Sequence, residues 1–206
     1  HAKLNAAVRG GEIGSLEQLT ITSRDPYPPP LEYIPVSGGL FRDMMIHDFD
    51  IARWMLGEEI VKISAEGGVA VDPEIGRLGV TMVSESGKQI VILNSRRAVY
   101  GYDQRIEAFG ATGMLISDNP SETNVKRFDA SHFAAPDAYA TFFMDRYTGS
   151  YRAEIEAFVD MIQTGGKSPV NAVDGFMASY LAEAATLSCQ TGRSIELDVS
   201  GKPTWD

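Results

Sequence analysis

The 206-residue chain sets 28 Asp and Glu against 18 Lys and Arg, a formal net charge of −10, and is 44% hydrophobic and 22% charged. That composition suits one large or two small globular domains with a real core and excludes a disordered chain. The acidic excess, with no Lys/Arg-rich run to offset it, argues against nucleic acid and acidic membrane surfaces as partners.

Ala2 to Arg9 carries Leu4, Ala7 and Val8 at helical spacing, and Gly10-Gly11 ends the segment, so a short helix comes first. Leu16 to Ser23 alternates apolar and polar residues with β-branched positions and predicts a strand, after which Pro26, Pro28, Pro29 and Pro30 force an extended loop. LFRDMMIHDFDIARWMLG places Leu40, Met44, Phe49, Ala52 and Met55 at near-helical intervals, and its uninterrupted pattern up to Gly57 predicts one long helix. From Ile60 to about Phe109 the period shortens. VKISAEGGVAV, LGVTMVS, KQIVILNS and QRIEAFG read as strands with short links, hence an antiparallel sheet, and MLISD and TNVKRFD as two shorter strands.

Beyond Tyr139 the pattern is helical again. Tyr151 to Ile162 sets Ile155, Phe158, Val159 and Ile162 on one stripe. A helix from about Val173 to Cys189, with Asn171 as its cap, sets Phe176, Tyr180, Leu181, Ala184 and Leu187 on another. IELDV reads as a last strand. This order is α+β: an open, mainly antiparallel sheet with helices on one face, without the βα alternation of a doubly wound fold. The uncovered face, with residues such as Val91 and Leu93 or their alternates, is expected to be an apolar surface for self-association.

The single cysteine, Cys189, cannot form an internal disulfide and reads as a core residue of an apolar helix, which fits a reducing compartment. No apolar run approaches the roughly 20 residues that span a bilayer, and the basic-then-apolar order of a signal peptide is missing. The expected localisation is cytoplasmic. A chain that enters a helix directly after His1, without an initiator Met, is expected to be a fragment.

The histidines are His1, His47 and His132. On a continuous helix Asp43, four residues before His47, shares its face, and a carboxylate beside an imidazole fixes the tautomer and raises the basicity, as a general base requires. The same spacing suits a helix-surface ion pair without chemistry. Asp43, His47, Asp48 and Asp50 make a weak metal set, one imidazole with carboxylates, and on such a helix Asp48 and Asp50 point away from the Asp43/His47 face; no metal is expected. GGLFRD lacks the Lys-Ser/Thr of a phosphate loop, and no nucleophile elbow is present. Tyr100 and Tyr102, two apart on a strand, share a face and suit a polyol, although tyrosines are also ordinary strand residues. Tyr151 at a helix start is similarly ambiguous. Asp25, just after a strand, stands where loop carboxylates meet ligands, or makes an Asx-turn.

Taken in order, EIGSLEQLTITSRDP, SGGLFRDMMIHDFDIARWMLG, YGYDQRIEAFGATG and YRAEIEAFVDMIQTG resemble the C-terminal domain of the glucose-fructose oxidoreductase/inositol dehydrogenase (Gfo/Idh/MocA) family, most of all its inositol 2-dehydrogenases. The resemblance covers essentially the whole chain and rests on the gap-free core G-G-x-F-x-D-x-x-x-H-D-x-D-x-A-R. It implies an α+β domain, residues 1–206, that binds substrate and mediates assembly, joined in family members to an N-terminal Rossmann domain that binds NAD or NADP. By position it makes His47 the residue that takes the hydroxyl proton of a polyol or sugar while hydride leaves the same carbon for nicotinamide. Asp43 becomes its partner and a substrate contact, and Asp25, Tyr100, Tyr102 and Tyr151 line the substrate wall.

The resemblance also brings out what this sequence lacks: the G-x-G-x-x-G turn after a first strand, the acidic ribose contact and the E-K-P lysine segment. DPEIGRLGVTMVSESG is shorter than the corresponding family region, so a trimmed first hairpin is expected. Three readings stand: the substrate and catalytic half of an NAD(P)-dependent polyol dehydrogenase, inactive by itself; a truncated, catalytically inactive sheet domain that acts only in self-association; and a metal-dependent enzyme built on the His47/Asp43 helix.

Overall fold

Residues 1–71 and 74–200 are described by the structure, a computed structural model. Leu4 and Val8, one helical turn apart, are the buried residues of α1 (Ala2–Arg9). Strand β1 (Leu16–Arg24) follows as the alternation predicts. A single helical turn, α2 (Ile34–Ser37), comes next, and the long helix expected over residues 40–57 is instead two pieces, the turn α3 (Leu40–Asp43) and α4 (Met45–Leu56). Met44 breaks it, with φ −126° and ψ −58°, so the period alone hid a change of direction. Gly57 ends α4 in the left-handed region, as read from the sequence.

Strands β2 (Ile60–Val71), β3 (Glu74–Ser84) and β4 (Gln89–Ser95) form a meander, followed by β5 (Asp103–Gly110) and β6 (Gly113–Ser117). Residues 72–73, within the hairpin expected to be trimmed, lie outside the described residues. The region read as a strand around Lys126 contributes only β7 (Lys126–Arg127), which pairs with β8 (Ala135–Pro136) apart from the main sheet. Helices α5 (Phe143–Thr164) and α6 (Ala172–Thr191) precede a two-residue edge strand, β9 (Ile195–Glu196).

The main sheet runs β6-β5-β1-β4-β3-β2-β9. Its neighbours are antiparallel except β1 and β4, which run parallel. Register explains the core. Ala65, Val80, Ile92, Ile21 and Ile106 stand side by side across β2, β3, β4, β1 and β5, and Ile63, Met82, Ile90, Leu19 and Ala108 form the next row. All ten are buried, and each of the larger side chains contributes about 1.5–3 kcal/mol by leaving water. Helices α4 and α6 cover this face, Phe49, Ala52 and Met55 coming from α4 and Leu181, Ala182 and Ala185 from α6.

The buried stripe of α6 differs from the expected one. Leu181 and Ala184 are inside, whereas Phe176 and Leu187 are exposed, because the helix approaches β2 through small residues. Ser188 Oγ accepts the Ala65 backbone N–H at 2.9 Å there. Helix α5 differs from α4 and α6: it has no buried side chain and starts eight residues before Tyr151. The outer sheet face is mixed rather than broadly apolar. Thr20, Val91, Thr81 and Ser64 stand in one row, and the exposed hydrophobics gather near the β5–β6 edge at Phe109, Met114 and Ile116, with Leu93 inward of them. Among the described residues no helix is long and apolar enough to cross a membrane.

Candidate active site

Because β1 and β4 run parallel, their C-terminal ends open on the same edge of the sheet. Asp25 leaves β1 there and Arg96 leaves β4 beside it. The Asp25 N–H donates to the Ser95 carbonyl at 2.8 Å, and the Ala98 N–H donates to the Asp25 carbonyl at 2.9 Å, so the two loops are tied on either side of Arg96. The extended prolines then carry the chain across the edge to Tyr33. Gly38 and Gly39, at φ +82° and +85°, turn it back into α3 in a conformation that side chains resist. At the end of α3 the Asp43 carboxylate receives the Arg96 Nη2–H on Oδ2 and the Tyr33 hydroxyl on Oδ1.

The carboxylate predicted to pair with His47 is thus held by Arg96 and Tyr33, and no described hydrogen bond joins it to the imidazole. The break at Met44 is the reason, since the four-residue spacing crosses two helices instead of running along one. His47 is exposed on the first turn of α4. The nearby carboxylate whose ionisation its charge favours is Asp50: burial raises Asp50, repulsion from Asp174 adds to this, and Arg53 and His47 oppose it. Asp50 lies three residues beyond His47 on α4, so the two share a helix face, and the expectation that it points away from His47 does not hold.

Asp48, weighed from sequence only as a metal ligand, points into the core. It receives the Ser23 hydroxyl of β1 at 2.5 Å and the Asn94 Nδ2–H of β4 at 2.8 Å. This stitches the first turn of α4, and with it the residue next to His47, to the parallel strand pair. Burial pushes Asp48 up to about 6, the two hydrogen bonds working against the shift and Asp25 adding to it. Asp25 is itself raised by burial and pulled back by Arg96.

Of the tyrosines, Tyr102 belongs to this cluster. It is hydrogen-bonded to Tyr147 of α5, the rings meeting edge to face at 6.0 Å, and its phenol is pushed well up by burial, then by Tyr147 and Asp25. Tyr100 is a corner tie. Its hydroxyl donates to buried Asp103 at 2.6 Å and accepts from Arg24 at 2.9 Å, while Arg105 and Asn119 donate to the same carboxylate. Tyr151 is not brought to the cluster; it lines a groove with Ile155, Phe158 and Val170.

Sequence reasoning missed Arg96, Tyr33 and Tyr147. The available signal for Arg96 was its place, one residue beyond an apolar strand, the same position that singled out Asp25. Among the described residues no group of three or more His, Cys, Asp and Glu could hold a metal ion. An exposed imidazole, two carboxylates around one guanidinium and a phenol pair suit a ligand rich in hydroxyls, which donate to carboxylates and can lose a proton to imidazole.

Residues 1–116 match the family model of the GFO/IDH/MocA C-terminal domain. The chain is 48% identical over 202 residues to the myo-inositol 2-dehydrogenase of Thermotoga maritima, covering 95% of this chain and 60% of that protein. The crystal structure of a myo-inositol dehydrogenase from Corynebacterium glutamicum is similar with a TM-score of 0.92 at 43% identity, over 96% of this chain and 61% of that one. The scyllo-inositol dehydrogenase of Lactobacillus casei, with bound NAD(H) and scyllo-inositol, gives a TM-score of 0.85 at 26% identity, over 95% of this chain and 60% of that one. The chain spans about three fifths of the length of these relatives.

Proposed function

The chain belongs to the GFO/IDH/MocA family, and from that premise we propose that it is the substrate-binding and acid–base half of a nicotinamide-dependent polyol dehydrogenase of the inositol type. The observation that carries this reading is the edge cluster itself, where Asp25 and Asp43 gather around Arg96 while His47 stays exposed. The two carboxylates accept hydrogen bonds from ring hydroxyls and fix the orientation of the ring. His47 takes the proton of the hydroxyl whose carbon is oxidised, leaving a ketone. Tyr102, held by Tyr147, closes the wall behind them; Tyr100 holds the corner that carries it.

The described residues do not fit a dinucleotide. The glycine pair Gly38-Gly39 leads into a four-residue helix and offers no pyrophosphate cradle. NAD or NADP, which accepts the hydride when bound, is therefore assigned to the additional length that the relatives have. The exposed stripe of α5, with Ile155 65% and Phe158 58% accessible, supports a packing surface for that part. Calorimetry of this chain with NAD is expected to show no micromolar binding. Self-association through the outer sheet face belongs to the same reading, supported by exposed Leu93, Phe109, Met114 and Ile116. Light scattering that shows only monomer in dilute solution would remove it.

The test of the chemistry is turnover of an inositol by the whole protein that contains this chain. His47→Ala is expected to lower kcat by roughly 10²–10⁴-fold, the usual value of a positioned proton transfer, with cofactor binding retained. Full activity in that variant would end the proposal.

A further inference from the structure

Two carboxylates that face one ligand repel each other, and each is easier to protonate for it. Asp25 and Asp43 come from different elements, the exit of β1 and the end of α3, and no backbone constraint sets one against the other. What they share is Arg96. Its residue is only 8% exposed, its Nη2 donates to Asp43, and its charge is the factor that counters the burial of Asp25. The backbone around it is fixed too: its own N–H donates to the Gly76 carbonyl at 3.0 Å, and the Asp25 peptide is bonded to Ser95 and Ala98 on either side. Its Nε is buried without a hydrogen-bond partner among the described residues. A guanidinium with an unmet donor is a costly group to bury, and nothing in the sheet core requires it there.

We infer that Arg96 is a positioning residue, the shared counter-charge that holds Asp25 and Asp43 as an ionised pair of hydroxyl acceptors. This rests on the reading of those two carboxylates as substrate contacts. The charged and titratable groups around it are Asp25, Asp43 and Tyr33, with Asp48 and Tyr102 beyond Asp25. Arg96 acts through the carboxylates and touches no reacting atom. Without it, Asp25 loses the charge that lowers it, takes up a proton at higher pH and stops accepting from a hydroxyl.

The test has two readouts on Arg96→Met and Arg96→Lys. In the 206-residue chain, carboxyl-detected NMR follows the Asp25 titration. Met is expected to move its midpoint upward by about one pH unit, the lower end of what a close opposite charge does, and Lys to return most of that shift. In the whole protein, Met is expected to raise the KM for an inositol and lower kcat/KM by roughly 10²-fold, the cost of misplaced binding groups. The acid limb of the kcat/KM profile should move to higher pH, and Lys should bring it back. An unmoved Asp25 midpoint in a folded Met variant, judged by circular dichroism, overturns the inference, as does a rate loss with the acid limb in place. Should Arg96→Met not fold, the Lys variant decides: Asp25 and the acid limb must stay near wild type while KM rises from the lost fork geometry, and unchanged KM counts against the inference. Failure of the functional reading shows separately, as full turnover in His47→Ala or Asp43→Asn.

Discussion

Helices α5 and α6 are successive in the chain and close in length, 22 and 20 residues. Both carry an apolar stripe at helical spacing. One buries Met177, Leu181, Ala182 and Ala185 under the sheet, whereas the other buries none of its side chains. α6 begins at a capping box in which Asn171 accepts from the Val173 and Asp174 N–H groups and Asp174 accepts the Asn171 N–H. α5 begins without a side-chain cap and is moored to β5 and its approach near its start by the Arg146 bond to the Gln104 carbonyl and the Tyr147–Tyr102 contact. Periodicity reports that a helix wants a partner; it does not report where the partner is.

The difference predicts unequal responses to truncation. Leu181→Ala, at a fully packed site, is expected to cost 2–5 kcal/mol in denaturant unfolding of the chain, the usual range for a buried leucine. A comparable loss from Ile155→Ala would erase the contrast between the helices.

The packed side should also carry a pH signature in the acid range. Burial raises Asp48 to about 6 in the folded protein, above the ~3.9 of an unfolded aspartate. The folded state thus holds this proton more tightly, and its stabilisation is complete below the unfolded value and lost as pH rises through the folded one. Asp48→Asn is expected to flatten the decline between about pH 4 and pH 6, a difference of at most roughly 3 kcal/mol by pH 7. The Asn94 Oδ1, unpartnered among the described residues, can accept from the new amide once Asn94 flips. Urea melts across that pH range check this, and parallel curves for wild type and variant would refute it.

Asn171→Ala removes the acceptor of the cap, with an expected cost near 1 kcal/mol and faster amide exchange confined to the first turn of α6. The smallest change is expected on α5. Ile155→Ala and Phe158→Ala should leave the melting of this chain within about 0.5 kcal/mol of wild type, as exposed positions do, while destabilising the whole protein if that stripe is covered there. Equal stability in both settings would argue that the stripe faces solvent throughout.

The strands were legible because their residues alternate, but which face is covered was not: Val91 and Leu93 or their alternates both suit the open side until α4 and α6 settle on Leu19, Ile21, Ile90 and Ile92. The cap at Asn171 and the stop at Gly57 were legible because their chemistry is local. What could not be read were features set by distant partners. The break at Met44 leaves the 3.6-residue period of residues 40–57 intact, yet it gives Asp43 to Arg96, 53 residues away. Asp48 reads from sequence only as a member of a weak metal set, because its partners Ser23 and Asn94 come from β1 and β4. Phe176 and Leu187 fitted the stripe of α6 but gave way to alanines because the helix and β2 approach closely. Tyr100 and Tyr102 were singled out together from spacing, and only the neighbours Asp103 and Tyr147 separate a tie from a wall.

The parallel placement of β1 beside β4 bears on the order in which the chain folds. β2, β3 and β4 follow one another closely in sequence, whereas Gln18 meets Gln89 across 71 residues. Closing so long a loop costs chain entropy before any contact rewards it, so the central slot of the sheet is the slow one to fill. Asp25 and Arg96 come together only when that slot is filled. The pairing of β1 with β4 and the arrival of Asp25 beside Arg96 are then one event, and a chain that has not made it has a meander and no site.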